Sequence, residues 1–468
     1  MKISPQLFVF AATLPGSAQG CSRVLQNKFD TIVAGRSMDW GFSFEDILFL
    51  NPPGLEMDGG AGDLSVEWTS KYGSITSSII PFFAGYGDAA KEYGTGIGPG
   101  EGCEGLTFEK DGSVDGVNTE GLAVHVLELG EQHGTQYAQP SAADPVNISF
   151  MRWSRYVLDN FATVAEAVEG LKTLTTIDER MCNGIVGPDG QTGVHLGAHM
   201  AMEDTTGDSA IIEHVDGEMQ IYHSRTDALV MTNDPPFVQQ KELLAKYDLW
   251  GGDIKLPENL PGTVDSRDRF VRLEYYLQYT PEPANYAEAI ANIRTLISNT
   301  NVPFGAPYGG GIYPTWWTSF VDVTDKIYFF DWLLTPNMVW VDLQEIEWGS
   351  VPGILMLKPQ DIDLVGNVLC EFTTLDGEDS TLDGCAETSP NLTDEVHCFS
   401  DPDRDGVNTI WPVCSGKEEE EFCDGDGDCD GTNFCNCDVG QSFCSTGVNP
   451  CVSTASVGHV GLRGVAME

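Results

Sequence analysis

The cysteines of this chain are so unevenly placed that they divide it before any other signal is read. Of the 13 in 468 residues, only Cys21, Cys103 and Cys182 precede Val368, and the remainder crowd the C-terminal part. The stretch from Cys21 to Asn367 must therefore fold by burying a core, and it is long enough to do so. From Val368 the text turns to "CEFTTLDGEDSTLDGCAE" and "KEEEEFCDGDGDCDGTNFCNCDVGQSFCSTGVNPC". Segment 368–468 reads as a second, acidic module held by cross-links more than by a core. So many cysteines do not suit a reducing compartment, and no pair of CxxC units has zinc-finger spacing, so disulfides in an extracellular setting are expected.

The N-terminus agrees with export. Met1-Lys2, the apolar "LFVFAATL" and the small-residue "PGSAQG" make residues 1–20 a signal peptide, cut between Gly20 and Cys21. A lipid-modified cysteine is the competing reading, and Ala18 and Gln19 count against it. No later apolar run approaches the roughly 20 residues of a membrane span, so a secreted protein is expected. The net charge of −47 becomes one unit more negative when Lys2 leaves with the leader. Such a surface repels nucleic acid and anionic membrane. Asn147-Ile148-Ser149 and Asn391-Leu392-Thr393 are sequons, so a glycoprotein is expected in a host that glycosylates its secreted chains.

Within 21–367, "SAIIEHVDGEMQIYH" is two β-rich runs around Asp216-Gly217, a two-residue hairpin turn. "TIVAGRSMDW" and "KIYFFDWLLTPNMVWVDL" read as further strands. "TVAEAVEGLKTL" offers Thr163 and Glu166 as a capping box, with Val164, Ala167, Val168 and Leu171 at helical spacing. Strands and helices come in blocks, so the fold class is α+β.

Cys21, "AGRSMDW", "DGVNTEGLAVHVLEL", "GDSAIIEHVDG", "VMTNDPPF" and "LPGTVDSRDRFVR" occur in an order that resembles the choloylglycine hydrolase and penicillin V acylase family of N-terminal nucleophile hydrolases. The likeness covers roughly 21–367, with "NTNVPFG" and "TPNMVWVDL", and stops at the cysteine-rich tail. It implies a four-layer αββα sandwich, here with a C-terminal cysteine-rich extension, and hydrolysis of a linear amide in a small-molecule N-acyl substrate without a cofactor. The resemblance also brings a bile-salt-cleaving tetramer into view. The segment between Asn233 and Arg269 is shorter than in those members, so a homo-oligomer stays open.

Amide hydrolysis needs a nucleophile, a base and donors for an oxyanion. A cysteine exposed at the N-terminus supplies the first two, because its α-amine, which ordinarily titrates at about 7.7 to 8.0, can take the thiol proton. The plain alternative for Cys21 is a half-cystine at a processing junction. By resemblance, Arg36 favours the thiolate and Asp39 accepts from the α-amine or thiol; read alone, they are a surface ion pair. Asn233 would offer its side-chain amide to the oxyanion, where a bare sequence reading sees a turn before Pro235. Arg269, among Arg267 and Arg272, would hold the polar network. Glu128 stands where the family has a backbone N–H donor to the oxyanion, and a carboxylate there would disfavour acidic leaving groups unless it points to solvent. Trp40, Trp316, Trp317 and Phe304 suit an apolar acyl pocket or simply the core. The glycine-rich "PFFAGYGDAAKEYGTGIGPGEGCEG" reads as a loop over the pocket mouth or surface decoration.

In the tail, Asp401, Asp403 and Asp405, then Asp426, Asp428 and Asp430, fit D-x-D-x-D-G and place oxygen ligands for Ca²⁺. They resemble thrombospondin type 3 loops; a solvated acidic linker is the alternative. The substrate stays open among bile salt conjugates, phenoxyacetyl penicillins, N-acyl homoserine lactones and lipid-like N-acyl amines. A catalytically silent binding protein on the same scaffold is the competing function. No HExxH cluster or G-x-S-x-G elbow supports a zinc or serine hydrolase.

Overall fold

A computed structural model describes residues 20–83, 107–130 and 137–378, apart from short breaks at 139–140, 143–144, 178–180, 187–191, 195–196 and 309–310, together with Leu382. The leader up to Gln19, Cys103, most of the glycine-rich loop, Asn391 and the six tail aspartates lie outside the described residues. By contacts the chain divides into Met1–Ala284 with Glu288–Asp383, and Asn285–Ala287 with Gly384–Glu468. The second unit is described only at its first three residues.

Two sheets carry the first unit. The seven-stranded sheet runs Val230–Thr232, Ser22–Gln26, Val33–Asp39, Thr315–Asp322, Ile327–Trp332, Met338–Asp342 and Gly366–Asn367, antiparallel except at its last join. The nine-stranded sheet runs Glu218–His223, Ser209–Val215, Ala198–Glu203, Ala123–Glu128, Ser113–Asn118, Ser74–Ser78, Ile47–Asn51, Leu355–Leu357 and Thr373–Thr374. Arg23 to Glu203 and Tyr328 to Asp115 are side-chain contacts across the space between them. Helix Phe150–Asn160 lies on the nine-stranded sheet and helix Ser266–Tyr279 on the seven-stranded one. On that second face Gly35 lets helix Tyr286–Ser298 close in, since a Cβ there would stand 3.1 Å from Ile293 Cγ1. The order is helix, sheet, sheet, helix.

Every residue of Ser22–Gln26 and Val33–Asp39 is buried. Strands covered on both faces lose the polar alternation of half-exposed ones, and polar side chains inside them need a partner or a task. The Asp216-Gly217 hairpin forms as read, with φ of 53° and 82°, both left-handed as a type I′ turn requires. Helix Val164–Leu171 also forms, with Thr163 Oγ1 accepting the Glu166 N–H at 3.2 Å. Glu166 returns its carboxylate to the Ala162 N–H rather than to that of Thr163, a capping box displaced by one residue. We expect Thr163→Ala to lower stability by about 1 kcal/mol and Thr163→Ser to stay close to the parent, read by urea unfolding.

Two expectations shift. The module boundary at Asn367 falls too early, because Val368 and Phe372 are buried and Thr373–Thr374 pairs with Leu355–Leu357. The sequon at Asn147 is not a usable acceptor in the folded protein. Its carboxamide is buried, donates to Leu64 O and Ser141 O, and accepts from the Ser141 N–H at 2.7 Å. Among the described residues no helix is long and apolar enough to cross a membrane.

Candidate active site

Strand register assembles the site. Ser22 pairs with Thr232 on one side and Ser37 on the other, so Asn233 and Met38 fall on either side of Cys21. Cys21 is a buried free thiol whose Sγ lies 3.8 Å from Met38 Sδ and 3.9 Å from the Asp39 carbonyl oxygen. Its N–H donates to Asn233 Oδ1 at 2.6 Å. Arg269 is held on helix Ser266–Tyr279, which Asp265 caps by accepting the Arg267 N–H. Its guanidinium donates to the Cys21 carbonyl, to Ser22 Oγ at 2.6 Å and to Asn233 Oδ1 at 2.9 Å. Its two neighbours lie elsewhere: Arg267 is exposed and Arg272 serves the carbonyls of Pro261 and Thr263.

Arg36 and Asp39 are fully buried and do not form the surface ion pair that a bare reading offers. Arg36 donates to Val126 O at 3.1 Å and lies 4.2 Å over the Trp317 ring. The Asp39 carboxylate accepts from Thr315 Oγ1 and lies against Gly20, where an added Cβ would stand 3.0 Å from Oδ2. Asp39 therefore sits beside the bond that joins Gly20 to Cys21. Burial pushes the Asp39 carboxyl up to about 7, against the pull of Arg269, Thr315, Arg36 and Ser37. Burial likewise pushes the Cys21 thiol up to about 11; Arg36 opposes this, Asp39 adds to it, and the Asp39 backbone and Arg269 oppose it further. Burial thus favours the protonated thiol.

Asn233 Nδ2 donates to the Glu128 carbonyl at 2.8 Å. On strand Ala123–Glu128 the carbonyls of Val126 and Glu128 face Arg36 and Asn233, while the Leu129 N–H is taken by Gly197. A residue's N–H and C=O share one edge of a strand, so the Glu128 N–H also points to the site. Its side chain lines the pocket and is only partly buried.

That pocket is an open cleft with Cys21 in its wall. Cys21 stands among Met38, Trp40, Phe44, Ile79, Val126 and Phe150, an almost wholly apolar lining. Of the four aromatics singled out in the sequence, Trp40 alone lines it. Trp317 is core beneath Arg36, Trp316 donates to the Trp40 carbonyl, and half-exposed Phe304 packs edge-on against Trp316. Sequence reasoning missed Met38, Phe44 and Phe150. Met38 was within reach as the neighbour of Arg36 on the same strand face, and Phe44 as the end of the run Trp40, Phe42, Phe44, which packs on itself.

The chain is 36% identical over 338 residues to the penicillin V acylase of Pectobacterium atrosepticum, covering 69% of this chain and 80% of that protein. The solved penicillin V acylase of Agrobacterium tumefaciens superposes with a TM-score of 0.60 at 31% identity, over 77% of this chain and 99% of that one. A conjugated bile acid hydrolase from Clostridium perfringens shares the fold, with a TM-score of 0.52 at 17% identity over 70% of this chain and 94% of its own. Residues 21–352 match the family of linear amide C–N hydrolases, choloylglycine hydrolase family, and the chain belongs to that family.

Proposed function

We propose that this chain is an exported cysteine amidohydrolase that cleaves N-acyl amides of apolar acyl groups, with Cys21 as nucleophile and its α-amine as base once residues 1–20 are removed. The observation that carries the reading is the free thiol at the foot of an apolar pocket, with its own nitrogen held by Asn233 Oδ1 at 2.6 Å.

The α-amine takes the Sγ proton as sulfur attacks the amide carbonyl, which spares the site a preformed thiolate. The oxyanion of the tetrahedral intermediate is received by Asn233 Nδ2 and the Glu128 N–H. As the C–N bond breaks, the ammonium returns its proton to the departing amine and leaves an acyl thioester on Cys21. Water, deprotonated by the same amine, then attacks the thioester, releasing the carboxylic acid and the free thiol. Asp39 and Arg269 are positioning residues. Asp39 orients the new α-amine beside the cleaved bond, and Arg269 fixes the Cys21 carbonyl and Asn233.

We expect Asn233→Ala to lower kcat/KM by at least about 10²-fold, the typical loss of one oxyanion donor. Steady-state amine release from phenoxyacetyl and long-chain acyl amides by the processed protein checks both claims. No release from any apolar-acyl amide would contradict the reading.

A further inference from the structure

We propose, on the strength of the hydrolase reading above, that Gln240 positions Asn233 to receive the oxyanion, in place of backbone donors that its turn lacks. The turn reads Thr232-Asn233-Asp234-Pro235-Pro236-Phe237. A turn that starts at the Asn233 carbonyl is ordinarily closed by the N–H two or three residues on. Those residues are Pro235 and Pro236, which have none. The buried carbonyls of this turn must therefore be met from elsewhere.

Gln240 meets two of them. It is a buried residue of helix Phe237–Leu244, and its Nε2 donates to the Asn233 carbonyl at 2.6 Å and to the Pro235 carbonyl at 2.7 Å. Both partners are pure acceptors, so the amide nitrogen must face the turn and Oε1 must face away. Oε1 lies 3.0 Å from Thr232 Oγ1, which is also 3.0 Å from the Ser266 carbonyl and accepts from Ser266 Oγ at 3.0 Å. Ser266 opens the helix that carries Arg269, so one carboxamide fixes the Asn233 backbone and joins it, through Thr232, to that helix. The Glu213 carboxylate holds the far end of the turn, accepting the Phe237 N–H with each oxygen at 3.0 Å. What Gln240 fixes is the aim of the Asn233 side chain. Its Oδ1 accepts from the Cys21 nitrogen at 2.6 Å and from Arg269 at 2.9 Å, and its Nδ2, now on the Glu128 carbonyl at 2.8 Å, is the donor the oxyanion would take over. A misplacement of about 1 Å can cost about 10²-fold in rate. The oxyanion forms only on the way to products, so the loss falls on kcat and spares KM.

Gln240→Met keeps the reach of the side chain and removes both donors. We expect it to lower kcat for an N-phenoxyacetyl amide by about tenfold or more, with KM within about threefold of the parent. In an Asn233→Ala background the same substitution should lower kcat by less than about twofold, since the group it positions is gone. Gln240→Glu should add a pH signature: the protonated carboxyl still donates to one carbonyl, whereas the ionised one faces two, so the ratio of its kcat to the parent's should fall as pH rises. A kcat for Gln240→Met within about twofold of the parent, a change in KM alone, or losses that multiply in the double variant would overturn the assignment. So would a flat ratio for Gln240→Glu, or failure of both single variants to fold, which would make Gln240 a residue of stability alone. A processed parent that releases no amine would overturn the hydrolase reading and this assignment with it.

Discussion

Replacing Cys21 by alanine should reduce amide hydrolysis by at least about 10⁴-fold while leaving the fold in place. The size of the effect follows from the loss of the attacking atom, since removal of a covalent nucleophile leaves only the catalysis due to binding and oxyanion donors. The fold should survive because the polar neighbours of the lost sulfur are Met38 Sδ and the Asp39 carbonyl at 3.8 and 3.9 Å, both weak contacts, while the backbone bonds of Cys21 to Asn233 and Arg269 persist. Cys21→Ser should retain little activity. A hydroxyl is a far weaker acid than the thiol, and the same α-amine must take its proton in the same buried setting. Circular dichroism and unfolding midpoints alongside amine release separate the two effects, and normal turnover by Cys21→Ala contradicts the mechanism.

The largest expected effect on stability lies between the sheets. Asp115, His125, Glu203 and Arg23 form a continuous chain of fully buried charges, with His125 Nδ1 on Asp115, His125 Nε2 on Glu203 at 2.6 Å, and Arg23 on the other Glu203 oxygen. Tyr328 adds a hydroxyl to Asp115 at 2.7 Å. Burial disfavours the imidazolium, yet Glu203 and Asp115 outweigh it and push His125 up to about 9. The two carboxylates are held below their ordinary range by their cationic partners, against burial. A group whose folded pKa lies above its unfolded 6.5 contributes stability that is fully present below 6.5 and is lost as pH rises through 9. Asp39 and Asp46, raised by burial to about 7, and Glu128, raised well above its ordinary range, lose their contribution in the same sense as pH rises, so the share of the loss between 7 and 9 that belongs to His125 is the part a His125 variant removes. His125→Gln leaves two buried carboxylates short of a positive charge and should cost about 3–5 kcal/mol at pH 7. Urea unfolding at pH 7 and pH 9 should show the parent weakening more steeply with pH than the variant. A variant as stable as the parent at pH 7 would contradict this account.

How much of this was legible depended on whether a residue's task is local. The hairpin was readable because Asp216-Gly217 has a turn chemistry of its own, whereas Cys21 stood out only because an expected leader ends against it. Asn233 and Arg269 look like a turn residue and a surface helix charge until register and helix capping bring both to Cys21. His125, Asp115 and Glu203 carried no signal at all, since a charged residue on a strand reads as the wet face. That rule fails where helices cover the outer face of a sheet and a second sheet covers the inner one. The boundary at Asn367 was drawn on composition, and short strands that complete the edges of two sheets leave no mark in composition.

Mass spectrometry of the purified, exported protein, quenched during turnover of an N-phenoxyacetyl amide, tests the central claim most directly. The account predicts an N-terminal peptide that begins at Cys21 and carries the acyl group as a thioester. Full activity in a protein whose chain begins upstream of Cys21, or an acyl group attached to any other residue, would contradict it.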